Sequence, residues 1–281
     1  ERVHTIVTSE KITIKDVNYW DYVFNKQITI EAVNILSPDI TYHKNRLVQR
    51  TDTSSQDGPI SARGGQKPVL IKQLDIDDAR LNFYDGSADS TALHVQDLTL
   101  TLDSIFFSRE TLKKRMPVTY QAYEASADSI FVKVSPYENL TVGAFAIENR
   151  NVRIRDMLLQ TKYSKSEHAQ LLSKERDHFN VHLDSLMVHN IDFGFNNRKF
   201  YATSNHIALH QAQATIYRNK LVANDNTTKP LYSKMLRDLP IDLTIDSLQL
   251  TNSSLIYEEK VKQDHPAGSI HFDNFNANMQ H

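Results

Sequence analysis

Along most of the chain, apolar and polar residues alternate with a period of two. Ile12 and Ile14, Leu98, Leu100 and Leu102, Ile207 and Leu209, and Ile270 and Phe272 each place apolar side chains on one face, with Thr, Asp, Gln, Ala or His on the other. This is the signature of half-buried antiparallel β-strands, and Val17 and Tyr19 extend the first of them. Two stretches break the pattern. From Ser164 to Asp177, Ser164 and Glu167 have the spacing of a capping box and are followed by Leu171 and Leu172 among charged residues, which predicts one short amphipathic helix over 164–177. A shorter helical turn is predicted from Leu231 to Leu239, ended by Pro240. Residues 44–68 are almost devoid of apolar side chains and contain Gly58, Pro59, Gly64 and Gly65, so they read as a mobile loop inside one unit rather than as a domain linker.

The strand pattern carries an internal repeat. Ile30-x-x-Val33-x-Ile35 followed by Pro38-x-Ile40-x-Tyr42 has the same internal spacing as Ile71-x-x-Leu74-x-Ile76 followed by Ala79-x-Leu81-x-Phe83. The spacing returns in Leu183-x-x-Leu186-x-Val188 with Ile191-x-Phe193-x-Phe195, and in Ile245-x-x-Leu248-x-Leu250 with Ser253-x-Leu255-x-Tyr257. A partial fifth copy, Ile154-x-x-Met157-x-Leu159, runs into the capped helix. Between the two halves of a copy the apolar parity flips, across Asp77-Asp78, His189-Asn190 or Thr251-Asn252. A regular strand would turn its apolar residues to the other face there, so the pattern demands a bulge or tight turn, and Asn and Asp suit one. The copies begin at 30, 71, 183 and 245, with inserts of different length. The whole of 1–281 then reads as one unit built from strand, turn and return strand, an extended, curved and mostly antiparallel sheet.

Composition narrows the functional classes. There is no Cys, so disulfides are excluded, and only 7 Gly in 281 residues leave little material for glycine-rich phosphate loops. The 32 basic and 34 acidic residues are interspersed, which removes the electrostatic footprint of a nucleic-acid binder. No run approaches 18 consecutive apolar residues, so no spanning helix is predicted. No G-x-S-x-G elbow and no H-E-x-x-H motif is present. The pairs His206/His210 and His178/His182 lack a third ligand at fixed spacing and read as solvated strand residues. No enzyme, metal or cofactor is expected. Three stretches match the glycosylation acceptor pattern, at Asn139, Asn226 and Asn252.

The repeated unit, with phrases such as IKQLDIDDARLNFYD at 71–85 and IDLTIDSLQLTNSSLIYEE at 241–259 followed by GSIHFDNFNANM at 268–279, resembles the AsmA-like proteins of the Gram-negative envelope, relatives of TamB and of the bridge-like lipid-transfer proteins. The resemblance implies a segment of a longer periplasmic protein, held to the inner membrane by an N-terminal anchor absent here. It implies a non-enzymatic role, binding or shuttling phospholipid or another envelope lipid, or supporting outer-membrane assembly, along an apolar concave sheet. The residues expected to line such a groove are Leu74, Ile76, Leu81, Phe83, Leu186, Val188, Phe193, Phe195, Leu248, Leu250, Leu255 and Tyr257. The basic stretch Arg109, Lys113, Lys114 and Arg115 could meet anionic headgroups. The same apolar positions would equally build the closed core of a secreted β-sandwich binding glycan or protein. A contiguous apolar surface well beyond a few hundred Å² would separate the two.

Overall fold

The computed structural model describes residues 4–44, 67–85, 90–196, 199–225 and 241–280. The predicted loop at 44–68, apart from its end residues, and the predicted turn at Leu231 to Leu239 lie outside the described residues. The chain is all-β. Strands hold 71% of the described residues, and the mixed, largely antiparallel sheet is not closed into a barrel. By its contacts the chain divides into two compact units, Glu1–Asp128 and Ser129–His281.

In the first unit, β1 (His4–Thr8) and β2 (Lys11–Asn18) precede a short helix α1 (Tyr19–Phe24), then β3 (Ile28–Leu36), β4 (Asp39–Lys44), β5 (Val69–Asp85) and β6 (Ser90–Phe107). Strands β3 and β4 lie end to end along the single long β5, both parallel to it, and β6 pairs with its other edge antiparallel. The two repeat copies beginning at Ile30 and Ile71 are thus stacked in register, Ile30 opposite Ile71 and Tyr42 opposite Phe83. Strands β2 and β1 flank β3 and β4. Helix α1 replaces the predicted continuation of β2 through Tyr19. The Asn18 carboxamide accepts from the amides of Trp20 and Asp21 and caps a helix there. Strand β7 (Ala122–Lys133) has its residues divided between the two units.

The second unit contains β8 (Glu138–Glu148), β9 (Asn151–Thr161), helix α2 (Lys165–Leu171), β10 (His178–His189), β11 (Asp192–Asn196), β12 (Lys199–Ser204), β13 (His206–Asn219), β14 (Ile241–Ile245), β15 (Ser247–Lys260) and β16 (Gly268–Gln280). Its larger sheet has the order β8-β9-β10-β13-β15-β16, and β11, β12 and β14 form a separate three-stranded sheet. Three near-continuous segments pass from one sheet to the other, through breaks at Asn190-Ile191, Asn205 and Asp246. The breaks are held together by the Asn205 amide on the His189 carbonyl (3.2 Å), the Asp246 amide on the Ser204 carbonyl (3.0 Å) and the Ser204 hydroxyl on the His189 carbonyl (2.9 Å). Here, as in the first unit, parallel pairs (β12 with β14, β13 with β15) stand among the antiparallel ones.

The predicted bulge or tight turn is present in all four copies, as a bulge inside β5 and β15 and as a turn that ends β3 and β10. Ser37, Asp78, Asn190 and Asn252 occupy the same repeat position, and each has a left-handed backbone with φ between 46° and 54°. The same device recurs at seven further points where the apolar pattern skips two residues instead of one, though not within the gap that opens each copy. Asp16 precedes Val17, Asp97 precedes Leu98, Ser104 precedes Ile105, Ser129 precedes Ile130, Asp156 precedes Met157, Gln211 precedes Ala212 and Asn274 precedes Phe275, all with positive φ. Among the described positive-φ residues only Lys26, Asn149 and Arg150 serve elsewhere, the last two as the two-residue turn joining β8 to β9. One left-handed residue inserts an odd step, so the next apolar side chain returns to the face it would have left. Asp, Asn and Ser prevail because short polar side chains tolerate this backbone.

Helix α2 carries the predicted capping box. The Glu167 amide donates to the Ser164 hydroxyl (3.3 Å) and the Ser164 amide to the Glu167 carboxylate (3.0 Å). It ends at Leu171 rather than at Asp177. The remaining charged residues leave the helix because they are ion-paired to the sheet, Arg176 to Glu138 (2.7 Å) and Asp177 to Arg218 (2.6 Å), and to the loop after β13, Glu175 to Lys220 (2.8 Å) and Lys174 to Asp225 (3.5 Å).

Candidate functional site: two apolar sheet faces

Residues opposite one another on paired strands share a face. In the first unit these pairings run Val17–Ile30–Ile71–Ile105, Ile14–Val33–Leu74–Leu102, Ile12–Ile35–Ile76–Leu100, Val7–Ile40–Leu81–Val95 and, nearer the loop end, Tyr42–Phe83–Leu93. Tyr42 and Phe83 stack at 4.3 Å. The opposite face is polar. The Asn34 amide (3.2 Å) and the Thr101 hydroxyl (3.1 Å) donate to Asp75, the Asn82 amide donates to Asp39 (3.2 Å), and His94 Nδ1 meets Asn82 (2.7 Å).

The second unit repeats the arrangement across six strands. Its rows are Leu140–Leu159–Val181–Ala214–Leu255–Phe272, Val142–Met157–Leu183–Ala212–Ser253–Phe275, Phe145–Ile154–Leu186–Leu209–Leu250–Ala277 and Ile147–Val152–Val188–Ile207–Leu248–Met279. Ser253 is the single polar member. It is buried, and its hydroxyl accepts from the Ala212 amide (3.1 Å) and donates to the Thr251 carbonyl (3.0 Å), so it presents no unsatisfied group to the face. Six strands spaced about 4.8 Å apart, over the ten residues from Ile207 to Ile216, give an apolar face of about 700 Å². The reverse face again holds polar pairs, His210 with Thr251 (2.9 Å) and His206 with Ser247 (2.7 Å).

The sequence-predicted groove residues fall into three groups. Leu74, Ile76, Leu81 and Phe83 lie together on the first unit's face, and Leu186, Val188, Leu248, Leu250 and Leu255 together on the second unit's. Tyr257 continues the second face beyond Leu255, paired with Ile270. Phe193 and Phe195 are elsewhere, in β11, where both rings meet Phe200 of β12 (6.3 and 5.4 Å). The break after Asn190 sends the second half of that copy into the small sheet. None of these residues is fully buried. The buried apolar side chains among the described residues are few, among them Val33, Ala79, Val95, Ile105, Val142, Val152 and Leu183. Toward the edges the faces open further, with Ile14 58% and Phe272 50% exposed.

The first face ends in a cavity. Ile28, Val69 and Phe107 form the next row beyond Ile71, and with Lys67, Ser108 and Leu112 they line a space of about 370 Å³, within the range of small-molecule sites. The chain then turns through Ser108 and a single 3-10 turn, Thr111–Lys113, pinned by reciprocal bonds of Ser108 and Thr111 (2.8 and 3.2 Å). The predicted headgroup residues Arg109, Lys113, Lys114 and Arg115 are exposed on this turn, beside the cavity mouth. Glu110 lies among them, its carboxyl held below the usual range by the Ser108 hydroxyl. Lys67 and its place over the Tyr22 ring (3.5 Å) had no signal in the strand pattern, since Lys67 belongs to a stretch that reads as loop.

Sequence reasoning also missed a buried polar cluster beside α2. His168, 2% exposed, packs edge-on against Tyr137 and His178, and Glu138 accepts two bonds from Arg176 and one from Ser135. Burial, then His178, holds the His168 imidazole below its ordinary pKa. Burial pushes Glu138 up, but Arg176 and Ser135 outweigh it and leave the carboxyl low. Among the described residues no three His, Cys, Asp or Glu are grouped to hold a metal, and no helix is long and apolar enough to cross a membrane. Comparison with known proteins finds no matching family model, curated protein or solved structure.

Proposed function

We propose that this chain is a non-enzymatic lipid-binding segment of a cell-envelope protein of the AsmA-like kind, which carries or shuttles phospholipid or another envelope lipid along its apolar sheet faces. The observation that supports this reading is that each unit has one sheet face built almost wholly of apolar rows and a reverse face of polar pairs, and that the groove residues on the apolar faces are partly exposed. A closed sandwich core would bury these rows throughout, whereas here row members such as Ile105 and Leu183 are buried and the groove residues beside them stay partly exposed. A surface of several hundred Å² that keeps Leu, Ile and Phe partly open to water is the size at which a ligand or membrane role is expected. An acyl chain laid along such rows gains about 0.8 kcal/mol per methylene removed from water, while its headgroup stays hydrated at the edge. Lys67 and the basic turn at 109–115 put cations at the open end of the first face, where an anionic headgroup would sit.

The test is native mass spectrometry with lipid extraction on the chain purified without detergent from a membrane-containing host, together with uptake of a fluorescent acyl probe. Stoichiometric lipid is expected. It should be lost in the Ile14→Asp/Phe272→Asp variant, whose substitutions lie at exposed positions on the two faces and so leave the fold intact. A lipid-free mass with no probe uptake would overturn the proposal and favour a closed binding module for glycan or protein.

A further inference from the structure

Resting on that reading, we propose that the α1 end of the first unit is a docking surface for an anionic membrane, seating the cavity mouth at the headgroup layer. Helix α1 buries none of its residues. Trp20 is 65%, Phe24 73% and Tyr19 68% exposed, and the Trp20 ring stacks on Phe24 (5.7 Å) and meets Tyr19 edge-on (6.1 Å). An exposed cluster of Trp, Tyr and Phe is costly in water and is the composition favoured at the membrane interface, where aromatic rings sit among headgroups.

One contact and the chain itself tie this helix to the cavity. Lys67 lies over Tyr22 of α1 and also lines the cavity, and Ile28 of the cavity wall follows α1 by four residues. On the other side of the cavity, Leu112, 47% exposed, stands in the basic turn. The same end of the sheet therefore gathers Lys26, Lys67, Arg109, Lys113, Lys114 and Arg115 against Asp21 and Glu110. Asp21 is engaged by Asn25 (3.0 Å) and Glu110 by Ser108 (2.9 Å). Cationic charge around exposed aromatic side chains complements an anionic bilayer, which attracts each nearby Lys or Arg. Docked this way, the row Ile28–Val69–Phe107 begins at the acyl boundary, and a lipid leaving the bilayer enters the apolar face without crossing water.

Trp20 is the single tryptophan of the chain, so its emission reports this helix alone. Vesicles of phosphatidylcholine with phosphatidylglycerol, mixed with the whole chain, should shift that emission to the blue and float with the protein, and added salt should weaken both. Lys113→Glu/Lys114→Glu should weaken vesicle binding at least about twentyfold, from roughly fivefold for each lysine removed. Phe24→Ser should also weaken it while the Trp20 signal is kept. Phe24→Ser changes an exposed side chain of α1 that belongs neither to the apolar face nor to its basic turn, and should keep the wild-type uptake of a water-soluble short-chain acyl probe. That separates docking from lipid carriage: probe uptake without vesicle binding overturns the docking surface, and vesicle binding without probe uptake overturns the lipid-carrying face alone. Self-association of the free chain abolished by Phe24→Ser, with no vesicle binding, would also overturn it and assign the patch to a second copy.

Discussion

Substitution at Asn252 isolates the device on which the apolar faces depend. Its φ is 51°, its side chain is exposed, and the bond that its residue makes runs from the backbone amide to Asn276 Oδ1 (2.9 Å), which a new side chain leaves in place. A change here therefore acts through the backbone. Left-handed backbone costs roughly 1–2 kcal/mol for most residues with a Cβ, least for Asn and Asp and nothing for Gly, and a β-branched residue is the worst occupant. Asn252→Gly should leave stability within about 0.5 kcal/mol of wild type. Asn252→Val should lose about 1.5 kcal/mol or more, because the strand must either hold Val in the left-handed region or give up the odd step that keeps Leu250 and Leu255 on one face. With a denaturant slope near 3 kcal/mol/M, a loss of that size moves the urea midpoint of the second unit down by about 0.5 M. Tyrosine fluorescence and far-ultraviolet circular dichroism through a urea series for the three proteins would read it. Equal midpoints for Val and Gly would refute the claim that these bulges are backbone requirements.

Leu183→Ala, at a side chain 2% exposed between Met157 and Ala212, should cost about 3 kcal/mol of the second unit's stability, whereas Leu243→Ala, 44% exposed, should cost under about 0.5 kcal/mol by the same urea assay. Acidification should weaken the second unit in two windows. His168 has a folded pKa below its ordinary 6.5, so the folded state binds fewer protons and stability declines as pH falls from 6.5 toward the folded value. Glu138, also lowered, contributes above its ordinary 4.5 and loses that contribution as pH falls through its folded value. A pH series of urea midpoints should show the first decline vanish in His168→Gln, and an unchanged slope would sink this account. Arg176→Met, which strands the buried Glu138 carboxylate, should cost about 2–3 kcal/mol, and adding Glu138→Gln should recover part of it in thermal melts.

Strand periodicity, the repeat and the apolar face were legible along the chain, apart from the turn of helix that begins at Tyr19. Alternation placed Ile12, Leu74, Leu100, Leu186 and Leu250 on apolar sides, and the parity flips at Asp77-Asp78, His189-Asn190 and Thr251-Asn252 located a bulge or a tight turn, because a strict period of two would carry the next apolar residue to the other face. The same reasoning was available at the three-residue gap that opens the first three copies, where Asp16, Ser104, and Asp156 with Gln211 carry the left-handed turn on the neighbouring strands. The capping box was readable since both partners are local. Pairing direction was not, because a strand's side-chain period is the same beside a parallel or an antiparallel neighbour; only the fold laid β3 and β4 along β5 and sent Phe193 and Phe195 into a separate sheet. Nor did local pattern show that Arg176 and Asp177 would leave α2 for Glu138 and Arg218, or that Lys67, Tyr22 and Leu112 would meet at one cavity. Those contacts join residues far apart in the chain, and tertiary structure alone brings such residues together.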